Sequence, residues 1–198
     1  MRSSITAAVI LLLSVLSVQA APPAADEPSE MIDFRYDRFI EDAARRHRLE
    51  ANLIRAVIWR ESRFNSKAKG LKGEIGLMQI MPGSNYAAAD WARAHNRELP
   101  EEWALLNPKL NIDIGCWYLA RALKRYRHYK DAVTLALCEF KDGPRKTASW
   151  LPDNRFAAVA PGITAEGTRF YVKDIMKRYY YYRYLERKKL SKMKGKAI

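Results

Sequence analysis

The sequence predicts a compact all-α domain, and three observations carry that expectation. Apolar residues recur at three- and four-residue steps, as in Phe39, Ile40, Ala43 and His47, in Ile112, Cys116, Leu119 and Leu123, and in Val133, Leu137 and Phe140. Alternating strand-like runs are scarce. Breakers, among them Gly70, Gly73, Gly76, Pro82, Pro100, Pro108, Gly143, Pro144, Pro152 and Pro161, divide the chain into about six to eight helices joined by short loops, without internal repeats. The 198 residues, 48% of them hydrophobic, supply one packed domain and leave little for a second. Two Cys exclude a disulfide-dense scaffold. His47, His95 and His128 are not spaced to share a helix face, so a metal site has little support.

Taken in order, residues 1–20 read as a signal peptide. Arg2 precedes an apolar run from Ala7 to Leu16, and Val18-Gln19-Ala20 forms the small-x-small pattern of a cleavage site after Ala20. The run is shorter than the roughly 20 apolar residues a membrane span needs, so export with cleavage is favoured over an anchor. A periplasmic or extracellular location follows. Residues 21–31 are Pro-rich and acidic and read as a flexible spacer. The domain proper is expected over 32–176, followed by a basic Tyr/Lys/Arg-rich helix and tail over 177–198.

The helix beginning near Asn52 is the informative one. On a wheel of roughly 100° per residue, Leu53, Ile54, Val57 and Ile58 form one apolar arc, and Glu61 falls within it. A carboxylate facing the interior must be paired, or else kept neutral by desolvation, which raises its pKa toward the range a general acid needs. The bland reading is a Glu at a fraying helix end that pairs with Arg60 or Arg63. After Glu61-Ser62-Arg63-Phe64-Asn65 comes a loop with Gly70, Gly73 and Gly76, then Leu77-Met78-Gln79. The glycines are spaced three apart and follow a helix, which is neither a dinucleotide nor a phosphate-loop pattern.

In these residues the chain resembles the soluble, goose-lysozyme-like lytic transglycosylases. Their signature of Glu-Ser, Phe-Asn, a Gly-rich loop and Gly-Leu-Met-Gln is present in order as Glu61-Ser62, Phe64-Asn65 and Gly76-Leu77-Met78-Gln79. Asn107-Pro108, Asn111-Ile112, Gly115 and Tyr118-Leu119 are similar to the family's next helix, and Thr168, Tyr171 and Val172 to its Thr-x-x-Tyr-Val element. The resemblance covers roughly residues 36–175. It implies a lysozyme-like helical domain with a single catalytic cleft, and cleavage of peptidoglycan between N-acetylmuramic acid and N-acetylglucosamine.

Departures are equally specific. The family's Tyr-Asn pair becomes Phe140-Lys141, Gly70 stands where many relatives carry Ser, and the acid before Thr168 is replaced by Gly167, with Glu166 one residue earlier. Because Glu61 and Gly-Leu-Met-Gln are intact, a re-tuned site, with Lys141 supplying a positive charge near the substrate, is favoured over a lost one.

Most glycosidases use two carboxylates, whereas the recognised constellation holds one. The resemblance implies that Glu61 acts twice, first as acid toward the glycosidic oxygen and then as base toward the muramic 6-hydroxyl, leaving a 1,6-anhydro end without a metal or organic cofactor. Gln79, an amide with both donor and acceptor, matches a family position that contacts sugar, so the resemblance implies substrate binding there. Met78, Ser62, Tyr118, Phe140, Lys141 and Glu166 are further candidates for substrate binding. Met78 can equally fill the core, Ser62 buttress the turn, and Glu166 serve as a first-turn helix acid. Glu74 and Glu139 are expected to be solvated surface acids.

Cys116 and Cys138 lie on helices that a turn near 127–130 folds antiparallel, which leaves a disulfide or two buried thiols open. From Lys173 to the C-terminus ten basic residues face two acids, a charge attracted to anionic wall or membrane surfaces. Export argues against nucleic acid. A lytic transglycosylase therefore leads over a lysozyme-like hydrolase and a non-catalytic wall-binding protein.

Overall fold

The computed structural model describes residues 33–84 and 86–194, with side chains described through Ser191. The leader over 1–20 and the spacer over 21–31 lie outside the described residues. Seven α-helices run in the order α1 (Asp37–His47), α2 (Ala51–Ser62), α3 (Ala87–Ala94), α4 (Pro108–Tyr126), α5 (Ala132–Asp142), α6 (Pro144–Ala148) and α7 (Glu166–Lys194). Short 3-10 turns occupy Glu102–Leu106 and Ala160–Gly162. No extended strand occurs among the described residues. Two isolated antiparallel bridges, Lys69 with Ile75 and Ile75 with Ile80, tighten the loop between α2 and α3.

Local chemistry sets the helix ends. The Asn107 side chain accepts from the Lys109 and Leu110 backbone N–H groups at 3.0 and 3.3 Å, and Pro108 takes the first helical position, so α4 starts with its orphan donors satisfied. Arg48 and Arg63 close α1 and α2 in the left-handed region, at φ 55° and 52°.

The core lies where α2 packs on α7, α4 on α5 and α1 on α4. Ile54, Val57 and Ile58 are wholly buried, as are Ile112, Leu119, Leu135, Leu137 and Tyr171. The inward arc read from α2 is therefore its packed face. No described helix is long and apolar enough to cross a membrane. No three His, Cys, Asp or Glu side chains cluster to hold a metal ion among the described residues.

One expectation, that for Glu139, changes, and two others gain detail. The division at residue 176 falls inside α7, one continuous helix whose Tyr179 and Tyr182 remain buried. Cys116 and Cys138 are free, buried thiols. The charges acting on Cys116 are those of Asp113 and Arg46, whereas the one acting on Cys138 is that of Asp142. Burial pushes the Cys138 thiol up to about 12. Glu139, expected in solvent, is only 2% exposed. It accepts from the Tyr126 hydroxyl at 2.8 Å and pairs with Arg125 at 3.1 Å, because its face of α5 packs against α4, which carries both partners.

Candidate active site

Glu61 occupies the last turn of α2, and its neighbours come from distant elements. The Tyr171 hydroxyl, from the second turn of α7, donates to Glu61 Oε1 at 2.5 Å. Burial is the largest influence on Glu61 and pushes its pKa above the ordinary carboxylate value. The Tyr171 hydrogen bond and the charges of Lys141 and Arg60 pull it back, while Glu74 adds to the rise. Tyr171 is itself wholly buried, and burial together with Glu61 holds its phenol protonated far above the usual range. Arg60 lies 5.4 Å from the centre of the Tyr171 ring and pairs with Asp174 at 3.3 Å. The Lys141 ammonium lies 5.2 Å from the same ring.

Near this acid lies a groove of about 580 Å³, lined among others by Glu74, Gln79, Tyr118, Phe140 and Lys141; Glu61 is not itself one of its lining residues. Glu74 and Lys141, which line it, are the same groups whose charges act on Glu61. The groove's other charges are largely neutralised in pairs. Arg121 meets Asp90 at 2.8 Å, Arg125 meets Glu139, and Asp142 meets Lys146 at 2.8 Å. Lys141 has no acid partner among the described residues. Phe140 packs edge-on against Tyr118, with ring centres 6.1 Å apart.

The loop is held in place by buried polar groups. Asn111, wholly buried on α4, donates to the carbonyls of Ile75 and Leu105 at 2.8 and 2.9 Å and accepts from the Met78 N–H at 2.8 Å. All its hydrogen-bonding capacity toward the loop is used. Replacing it with Ala strands one buried donor and two acceptors, so Asn111→Ala is expected to cost about 3 kcal/mol or more of stability. Thermal or urea denaturation reads this, and an unchanged midpoint would remove Asn111 as the anchor of the loop.

Gly76 and Gly115 permit the close approach. Gly76 has φ +78°, and a Cβ there would lie 2.9 Å from the Leu105 carbonyl oxygen; one on Gly115 would lie 2.9 Å from Met78 Cβ. Gly70, where the family pattern has Ser, has a similar reason. A Cβ there would collide with the Glu74 carboxylate and come within 2.8 Å of Gln79 Oε1.

The structure sorts the expected site residues. Gln79, Tyr118, Phe140 and Lys141 line the groove beside Glu61. The Gln79 amide nitrogen donates to the Gly76 carbonyl at 2.9 Å, which leaves its oxygen turned toward Gly70 and Glu74. Met78 does not reach the groove: it is wholly buried against Gly115. The Ser62 hydroxyl is occupied by the carbonyls of Leu77 and Ile58, at 2.8 and 3.1 Å, so it ties α2 to the loop instead of facing sugar. Glu166 is exposed in the first turn of α7, outside the groove lining, where a negative charge suits the helix dipole. Glu74 is half-buried, with Oε2 accepting from the Lys72 N–H at 2.9 Å, and faces the groove instead of open solvent.

Two contacts around the site are not legible in the sequence. Tyr171 stands in Thr-x-x-Tyr-Val with no role implied there, and its signal is its place on an inward stripe with Thr168, Val172 and Ile175. Asp142 has no role implied either. It accepts from the Thr168 hydroxyl and so clasps the end of α5 to the start of α7; against the rise that burial causes, Lys146 and Thr168 hold its pKa below the ordinary value.

A family model described as the transglycosylase SLT domain matches residues 38–159. The soluble lytic murein transglycosylase of Escherichia coli K12 is 30% identical over 175 residues, 85% of this chain and 26% of that protein. Membrane-bound lytic murein transglycosylase E of Buchnera aphidicola is 33% identical over 97 residues, 48% of this chain and 43% of the relative. Among solved structures, the 70 kDa soluble lytic transglycosylase of Escherichia coli superposes with a TM-score of 0.69 at 26% identity, covering 78% of this chain and 25% of that one. An inactive mutant of lytic transglycosylase Slt from Pseudomonas aeruginosa gives 0.66 at 26%, over 75% of this chain and 24% of that one. The chain thus spans about a quarter of the length of the Escherichia coli relative.

Proposed function

The chain belongs to the transglycosylase SLT family, and from that membership we propose that it is an exported peptidoglycan lytic transglycosylase. It would cleave the β-1,4 bond between N-acetylmuramic acid and N-acetylglucosamine and leave a 1,6-anhydro-muramoyl end. The observation that carries this reading is the half-buried Glu61 carboxyl, hydrogen-bonded to Tyr171 beside the groove. Burial raises its pKa above the ordinary carboxylate value, the direction that favours a proton-donating form and suits a general acid.

In the first step Glu61 gives its proton to the leaving glycosidic oxygen, and the substrate's N-acetyl group stabilises the positive charge that develops at the anomeric carbon. The carboxylate that forms is held by the Tyr171 hydroxyl and by the Lys141 charge. Glu61 then takes the proton of the muramic 6-hydroxyl as that oxygen closes on the anomeric carbon. Acid and base are one residue, so no second carboxylate is needed. Gln79, Tyr118, Phe140 and Lys141 would contact the strand in the groove. Cleavage after Ala20 would release the enzyme outside the cytoplasm.

A hydrolytic outcome draws on Glu74, a second groove carboxylate whose charge acts on Glu61 and which is available to activate water. Mass spectrometry of digested sacculi separates the readings. Anhydro ends are expected; new reducing ends would replace the proposal with a muramidase, and the absence of new ends with a wall-binding protein.

A further inference from the structure

We propose that the protein carries a second glycan-binding groove, apart from the catalytic one, which holds an acidic sugar strand through Trp103, Trp91, Arg97 and Lys109. The naming of that strand as peptidoglycan rests on the function proposed above. The groove, of about 480 Å³, lies between α3, the 3-10 turn at 102–106 and the first turns of α4. The two grooves use different parts of the same helices. Ala87 and Asp90 of α3 line the catalytic groove, with Tyr118 and Arg121 of α4; Trp91 and His95 line the other, with Lys109, Leu110 and Asp113.

Three features point to a sugar. Trp103 is 75% exposed at the groove edge and presents a flat apolar platform of the kind on which the C–H face of a pyranose packs. Trp91 is 94% buried, lines the groove, and its indole N–H finds no acceptor among the described residues. A buried donor without a partner is uncommon in a folded protein, and Trp91 places this one in the wall of the groove. Trp91 is also fixed in place: His95 stacks on it at 4.7 Å and holds its backbone carbonyl through Nδ1 at 2.7 Å.

Charge selects the kind of sugar. Arg97 and Lys109 line the groove without an acid partner among the described residues. Asp113, the groove's acid, is already engaged by Arg46 and by His47 Nε2 at 2.7 Å. A neutral strand would leave the two cations idle, whereas a strand bearing muramic or stem-peptide carboxylates meets them. Occupying both grooves would keep the enzyme on a polymer between cuts.

The test measures binding to purified sacculi by co-sedimentation in the non-cutting full-length Glu61→Gln background. Adding Trp103→Ala is expected to weaken binding about tenfold, and because that side chain is exposed the fold is not at stake. Adding Arg97→Glu and Lys109→Glu together is expected to weaken binding to sacculi more than binding to neutral chitin oligomers. Unchanged affinity in the Trp103 variant overturns the proposal. So does a loss of self-association with sacculus binding intact, which would make this face a contact between copies. Anhydro ends from the wild type with no Trp103 effect would sink this groove alone. No new ends from the wild type with a clear Trp103 effect would sink the catalytic proposal alone.

Discussion

Glu61→Gln is expected to reduce sacculus digestion by on the order of 10³-fold or more, the scale of losing a positioned general acid that also serves as base. Gln keeps the shape and an acceptor for the Tyr171 hydroxyl but has no proton to give. The same substitution is expected to leave the fold at least as stable, and the pH dependence of that stability carries the argument. Burial raises the Glu61 pKa in the folded state, so between the unfolded and folded values the native protein binds the extra proton. Stability then falls as pH rises through that window. The variant lacks this loss. Its stability relative to wild type should therefore be flat below the ordinary carboxylate range and climb as pH increases above it. Urea denaturation at a series of pH values measures the difference. A gap that narrows with rising pH would show that Glu61 is not held in a charge-disfavouring place.

Tyr171→Phe is expected to lower activity by about 10- to 100-fold, the cost of removing a hydrogen bond of roughly 1.5–3 kcal/mol to a charged group. That hydroxyl supports Glu61 in its ionised form, which is the form present as the leaving group departs. Without it the Glu61 pKa rises further. Since the first step needs the protonated acid, the alkaline limb of the pH–rate profile should move to higher pH. Lys141→Asn should move the limb in the same direction but by less, because an exposed ammonium is screened, and its effect should fade as salt is added. Profiles of sacculus clearing against pH at low and high ionic strength report both. A limb that shifts toward acid in either variant would contradict the assigned direction of support.

What was legible in the sequence followed from short-range periodicity. Ile54, Val57, Ile58 and Glu61 share an arc through the helical repeat alone, and the glycines after Asn65 announced a loop that must turn tightly. What was not legible depended on partners far along the chain. Met78 stands beside Gln79 in the motif, yet its burial is decided by Gly115 on α4, where the missing side chain makes room for it. Glu139 reads as a solvated acid until Tyr126 and Arg125 arrive from the preceding helix to satisfy it. Ser62 offers a hydroxyl that looks free until Leu77 folds back over it. The Tyr171 contact spans 110 positions of sequence, and no local pattern encodes such a meeting.

The family match stops at residue 159, but α7 begins at Glu166 and supplies Tyr171. A chain trimmed to the matched span would retain Glu61, the turn beneath it and most of the groove lining, while forfeiting the phenol that donates to that carboxyl. It would also lay bare the flank of α2 on which α7 now packs. On the proposed mechanism the smallest competent unit is therefore longer than its recognisable motif, and excising the terminal helix would yield a fragment with the right letters and an unsupported Glu61.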